Sequence, residues 1–290
     1  MQIEKVSSGT DFSSDFVNEE TLQEVAKAVE QEGAQLGVGG GGLHFDTRRF
    51  ALTVGYIREF NIHSGYCVEI GSLNYLSSKV IWSFFPHATV TGTSNDLRKR
   101  PLQFADNSVD NILCTEVIEH ISDINYKQAT TLDGIFFFLD EVYRVLRVGG
   151  RALITTPNAA SLWAIQQALS HKAPLMYDWH FREFTKSEMK KIIEYSGFKI
   201  VAHNTEFSWH LWNFKHIEDF MKTHNYASSD RGDDQFIIIE KTSERVRTPH
   251  HLALPCKKEW KEEGWQLIAN NILRMSYNMR LRLKLKMGLR

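Results

Sequence analysis

Apolar and polar positions change rhythm several times along this chain. Across 17–33, "VNEETLQEVAKAVEQEG", apolar residues recur every three or four positions, which predicts an amphipathic helix. "GVGGGG" (37–42) is too rich in glycine for the interior of any element. Asp46 is placed to cap a second helix over 47–60, "TRRFALTVGYIREF". From there the pattern is regular. Apolar runs at 66–71, 88–94, 109–115 and 151–158 read as buried strands, and helical spacing fills 76–85 and 136–146 between them. A helix over 185–197 and strands over 198–207 and 235–241 follow. Apolar strands alternating with helices predict a parallel sheet covered on both faces. The last two strands lie close enough in sequence to pair antiparallel. The tail breaks the pattern. Residues 265–278 keep helical spacing, while "MRLRLKLKM" (279–287) alternates apolar and basic, as a strand does or a helix basic on every side.

Composition then narrows the class. The chain has 290 residues, 42% hydrophobic and 12% aromatic, enough for a substantial core. No apolar run reaches the roughly 18 residues of a membrane span. The N-terminus lacks the basic-then-apolar shape of a secretory signal. Cys67, Cys114 and Cys256 are scattered and odd in number, and two of them sit in apolar strand-like runs, so buried thiols are expected rather than a disulfide framework. These features predict a soluble, cytoplasmic protein. With a net charge of −1, no global field recruits nucleic acid or acidic membrane. The basic tail reads either as solvated chain or as a local contact for phosphate-bearing polymer or lipid head groups.

In open α/β sheets, ligands bind beyond the carboxyl ends of the strands. The first such end reads "VEIGSLNYLSS" (68–78), where Gly71 permits a tight turn near a ligand and Ser72, Asn74, Ser77 and Ser78 offer small polar contacts. Leu73 and Tyr75 stand where a dinucleotide fingerprint needs its later glycines, so a ligand without phosphates is favoured. The second end, "TGTSND", puts Ser94 where a ribose-binding carboxylate is expected, with Asn95 and Asp96 behind it. The third, "CTEVIEHI" (114–121), sets two carboxylates and an imidazole within five positions. If it enters a helix, Glu116, Glu119 and His120 share one face.

The blocks "VEIGS", "VTGTS", "PLQFADNSVDNILCTEVIEHI", "EVYRVLRVGGRALITTPN" and "HFREFTKSEMKKIIEYSGFKI" resemble, in that order and spacing, class I S-adenosylmethionine-dependent methyltransferases over 63–242. They look most like a compact branch associated with glycan or secondary-metabolite modification, in which the segment after the second strand is shortened. The resemblance implies an α/β, Rossmann-like, doubly wound sheet of seven strands, mostly parallel with the last antiparallel. It also implies an N-terminal helical cap (1–62), an acceptor-site insertion (208–226) and a C-terminal extension (243–290). The implied donor contacts are Glu69, Gly71, Ser72 and Asn74 at the methionine moiety, Ser94 and Asn95 at the ribose, Asp106 near adenine, and Thr115 through its backbone. Two departures stand out: the later glycines are gone, and serine replaces the ribose acid. The second gives up a charge-assisted bond about twice as strong as a neutral one. A scaffold that kept the fold and lost the cofactor is therefore a second reading.

Glu116, Glu119 and His120, with His180 in "WHFREFT", are similar to a set in small-RNA 2′-O-methyltransferases. There, two acids and two histidines hold a divalent ion that grips a sugar's vicinal hydroxyls. The likeness implies a metal site of Glu116, Glu119, His120 and His180 for Mg, Mn or Fe, with Glu119, His120 and His180 as catalytic groups. The chemistry is coherent, because a hard cation lowers the pKa of a poorly nucleophilic alcohol and orients its oxygen. A metal-free site with His120 or His180 as general base is the alternative. The structural reading is a helix start whose acid complements the dipole. The expected function is O-methylation of a hydroxyl on a sugar, glycan or natural product. The rival, 2′-O-methylation of RNA ends, is disfavoured by near-neutral charge and the lack of a recognisable RNA module.

Lesser candidates stay open. Asn158 closes a turn or bonds substrate, and Tyr177 and Trp179 stack on an acceptor or pack a lid. Residues 208–226, "SWHLWNFKHIEDFMKTHNY", either wall the acceptor site or form an amphipathic packing helix.

Overall fold

The computed structural model describes residues 13–37, 46–93, 95–123, 132–209 and 214–246. Ser94, Cys256, most of the glycine-rich run and the basic tail lie outside the described residues. Helices α1 (Glu19–Gln35) and α2 (Thr47–Glu59) come first. They are followed by β1 (Tyr66–Ile70), α3 (Leu76–Ser83), β2 (Thr89–Thr93), β3 (Val109–Thr115), α4 (Asp133–Val145) and β4 (Leu146–Pro157). The chain continues with α5 (Leu162–Leu169), α6 (Lys186–Tyr195), β5 (Lys199–Glu206), α7 (Lys215–Thr223) and β6 (Asp234–Glu240).

The strands form one sheet in the order β2-β1-β3-β4-β6-β5. β2, β1, β3 and β4 are parallel, and β6 runs antiparallel to both of its neighbours. The expected antiparallel pair forms, with β5 at the edge and β6 inside it. Six strands stand among the described residues where the family likeness implies seven. The short connection over 95–108 runs through turns instead. Its backbone is already committed: Arg144 donates to the carbonyls of Phe104 and Leu102 at 2.9 Å each, and Glu141 accepts from the Leu102 N–H at 2.8 Å. A strand there would have to give up those bonds.

One core cluster joins the N-terminal helices to the sheet. Val25 and Val29 of α1, Leu52 and Ile57 of α2, and Val80 and Ile81 of α3 pack with Leu113, Leu153, Phe236 and Ile238. α2 buries eleven of its thirteen residues. Asp46 holds the N-cap position but makes no cap bond with its side chain; it accepts from Arg49 Nε and Nη2 at 3.1 Å each. Arg48 donates to the Phe207 carbonyl at 2.6 Å, which pins the start of α2 to the end of β5. Residues 13–17 cross α2 at Gly55, where a Cβ would lie 1.7 Å from the Phe16 carbonyl oxygen. Only glycine permits that approach. Cys67 and Cys114 are buried free thiols, and burial pushes Cys67 up to about 11. Among the described residues, no helix is long and apolar enough to cross a membrane.

Candidate active site

The turn after β1 forms one side of the site. Gly71 takes φ +137°, and a Cβ there would meet nothing within 4 Å, so the backbone lies open to an approaching ligand. Its N–H donates to the Thr93 carbonyl at 2.6 Å, tying the turn to the end of β2. Ser72 Oγ accepts from the Asn74 N–H at 3.3 Å. Leu73 fills the space beside Gly92, whose Cβ would meet Leu73 Cγ at 2.9 Å, while Tyr75 is 65% exposed. Glu69 is buried, which raises its pKa; Ser78 and Trp82 offset this by donating to its two oxygens, the indole at 2.6 Å. Asn95 is half-buried, Asp106 accepts from Arg144 at 2.7 Å, and Thr115 ends β3 in register with Thr155. The backbone at Gly71 is thus open, whereas the carboxylates of Glu69 and Asp106 are held by protein partners.

The third strand end departs from the helix expected there. β3 stops at Thr115, and Glu116 takes a left-handed φ of +54°. A single 3-10 turn, Ile118–His120, follows before Ile121 returns to extended backbone. No α-helix forms, and the shared helical face is corrected to a kinked turn. The cause is tertiary. The Glu119 carbonyl, which a continuing helix would use, accepts from the N–H groups of Phe181 at 3.0 Å and Arg182 at 3.4 Å.

Those same bonds carry His180 to the turn. The rings of His120 and His180 meet edge-on with centroids 4.7 Å apart. Glu119, His120 and His180 each offer one ligand atom, and the three atoms lie within 4.8 Å of one another. Glu116 is outside that group but lines the same cleft, accepting from Thr155 Oγ1 at 2.7 Å.

The hydrogen bonds fix which atoms face the centre. His120 Nδ1 lies 3.2 Å from the Trp179 carbonyl. A carbonyl only accepts, so the proton sits on Nδ1 and the lone pair on Nε2. His180 Nδ1 lies 2.6 Å from Glu183 Oε1, which likewise turns its Nε2 lone pair inward. Glu119 Oε2 accepts from Thr156 Oγ1 at 2.8 Å, but its Oε1 is buried without a hydrogen-bond partner, 3.8 Å from His120 Nε2. An orphaned buried carboxylate oxygen is costly. Burial drives the Glu119 carboxyl well above the usual range, with Glu116 adding to the shift, and burial holds His120 below its usual value. Two lone pairs and one unpaired carboxyl oxygen close together form a donor set that could hold a metal ion. Bonds from the imidazole Nδ1 atoms to a carboxylate and a carbonyl are the outer support such ligands use.

A cleft of about 730 Å³ opens over this centre, and its lining includes Asp46, Arg49, Tyr177 and Trp209. Asp46 Oδ1 accepts from Arg49 and from Trp209 Nε1 at 3.2 Å. The residues missing from the sequence reading are Arg49 and Glu183. Glu183 carried one legible signal, its spacing of three from His180.

Part of the chain is similar to known methyltransferases. Residues 87–154, from the connection before β2 into β4, match a family described as "Methyltransferase domain". A methyltransferase domain is supported. A relative from Mycolicibacterium smegmatis (strain ATCC 700084 / mc(2)155), named "Probable S-adenosylmethionine-dependent methyltransferase", is 33% identical over 99 residues. That match takes in 34% of this chain and 32% of the relative, so the chain spans about a third of its length. Among solved structures, a SAM-dependent methyltransferase from Archaeoglobus fulgidus has a TM-score of 0.40 at 16% identity, covering 66% of this chain and 94% of its own. The small RNA methyltransferase HEN1 has a TM-score of 0.42 at 14% identity, covering 69% of this chain and 26% of its own. The segment matched to the methyltransferase domain contains Glu116, Glu119 and His120 and stops before His180.

Proposed function

We propose that this chain is an S-adenosylmethionine-dependent O-methyltransferase that modifies a hydroxyl on a sugar, glycan or natural product in the cytoplasm, assisted by a divalent ion. One observation carries the metal half: two imidazole lone pairs and the orphaned Glu119 oxygen converge within 4.8 Å. The donor, bound along Gly71, Ser72 and Asn74 with Asn95 nearby, would supply a methyl group on a sulfonium for in-line displacement by the acceptor oxygen. An ion held by Glu119, His120 and His180 would supply acidity to that hydroxyl. The remaining work belongs to the chain. Glu183 and the Trp179 carbonyl hold the two rings in register, and Thr156 fixes the second oxygen of Glu119. Glu116 and Arg49 wall the acceptor cleft, as do Asp46 from the N-terminal helices and Trp209 from the 208–226 segment.

The test is transfer of labelled methyl to a panel of hydroxyl acceptors, before and after chelation and with Mg, Mn or Fe restored. Turnover that chelation abolishes and an ion restores supports the reading. Turnover indifferent to chelation removes the ion, and failure to bind either the donor or its demethylated product removes the enzyme.

A further inference from the structure

Resting on that reading, we infer that the acceptor is an uncharged ring compound with adjacent hydroxyls, a glycoside rather than a nucleic acid, recognised by stacking on Tyr177 and selected against phosphate by the walls of the cleft. Three observations carry this. The first is charge. With an ion bound, Asp46, Glu116, Glu119 and Glu183 face that ion and Arg49, so the loaded site carries no excess positive charge. Arg49 is the cation of the wall, but it does not stand ready for an anion. Its Nε and Nη2 both donate to Asp46 at 3.1 Å, Trp209 lies against its face at 5.9 Å, and Glu116 adds a second carboxylate to its field. A phosphate entering here would meet Asp46 and Glu116 in a partly buried cleft, where like charges repel more strongly than in water.

The second observation is the aromatic mouth. Tyr177 lines the cleft while 56% exposed, and its ring stands 5.6 Å from His180. Trp179 and Phe181 alternate with it along the same loop and are 73% and 68% exposed. Rings this size normally bury most of their area, and their faces suit the apolar C–H side of a pyranose. The third is size. A cleft of about 730 Å³ accommodates one or two sugar rings. A nucleic acid would also stack on these rings, so charge is what separates the two.

Matched probes differing only by phosphate decide the matter. Mn²⁺ uptake by the full chain is first established by paramagnetic resonance; its absence overturns the metal reading itself, apart from this inference. The loaded protein is then titrated calorimetrically with methyl mannopyranoside and its 6-phosphate, and with uridine and its 5′-monophosphate. In each pair the phosphate is expected to weaken binding by about tenfold or more at low salt. Tyr177→Ala should weaken the mannopyranoside about tenfold while leaving Mn²⁺ uptake intact. Asp46→Asn, which releases the charge of Arg49, should narrow the gap between phosphorylated and neutral probes. Equal or tighter binding of the phosphates, no effect of Tyr177→Ala, or no binding of methyl mannopyranoside would each overturn the inference.

Discussion

Glu183 is the residue on which the proposed centre depends without touching it. Its carboxylate accepts from His180 Nδ1 and from the Met176 N–H, so it sets both the tautomer of the ring and the path of the loop. Glu183→Gln keeps an acceptor in place but removes the charge that raises imidazole basicity. Metal affinity should fall about 10- to 100-fold by calorimetry, with the metal-free melting midpoint little changed. Glu119 makes the opposite trade. Its unpaired oxygen costs stability, so Glu119→Gln should raise the metal-free stability by about 1 kcal/mol in denaturant titration and abolish the stabilisation that Mn²⁺ brings. The pH dependence has a definite sign. Burial raises the folded pKa of Glu119 above its unfolded value, so its contribution is complete below the ordinary carboxylate range and is lost as pH rises through the folded value. The Glu119 contribution to metal-free stability should therefore fall as pH rises above the ordinary carboxylate range, while metal uptake strengthens in the same direction. Little of this was legible beforehand. Glu119, His120 and His180 stood out as residue types, but the partners that aim them lie 37 to 59 positions away or in a turn whose path the local sequence does not dictate.

At the scale of elements, local pattern succeeded wherever a segment is buried on both faces. β3 falls on 109–115 as predicted, although Asp110-Asn111 interrupts its apolar run, and α2 ends within a residue of its predicted limit. Pattern failed where a tertiary bond overrides it. "VIEHI" has a helical look, yet the Glu119 carbonyl is taken by Phe181, and one 3-10 turn results. β4 begins at Leu146, directly on the end of α4, and Leu146 already pairs with Val109, ahead of a register shift after which pairing resumes at Arg151. α5 forms where no element is predicted, and Ser161 caps it by accepting from the Ala164 N–H. Gly55 shows the same limit from the other side, since its meaning depends on a strand of chain crossing it. Gly55→Ala gains helix propensity but drives a methyl into the Phe16 carbonyl. Overpacking should win by about 1–3 kcal/mol, visible as a lower denaturation midpoint.

For the whole molecule, the alternating βαβ rhythm specified the parallel sheet and its antiparallel end, and 95–108 accounts for the strand count among the described residues. α2 is both a core helix and a wall of the cleft, so the arginines at its start tie the integrity of the fold to the acceptor side. That coupling was not readable in advance, because Arg49 meets Trp209 across 160 positions of chain. What remains central is whether the converging lone pairs hold an ion. The most direct measurement is a titration of chelator-stripped full-length chain with Mn²⁺, followed by paramagnetic resonance. The account predicts one tightly held ion per chain, released by His180→Ala and by Glu119→Ala. No bound ion, or an ion that survives both substitutions, would contradict it.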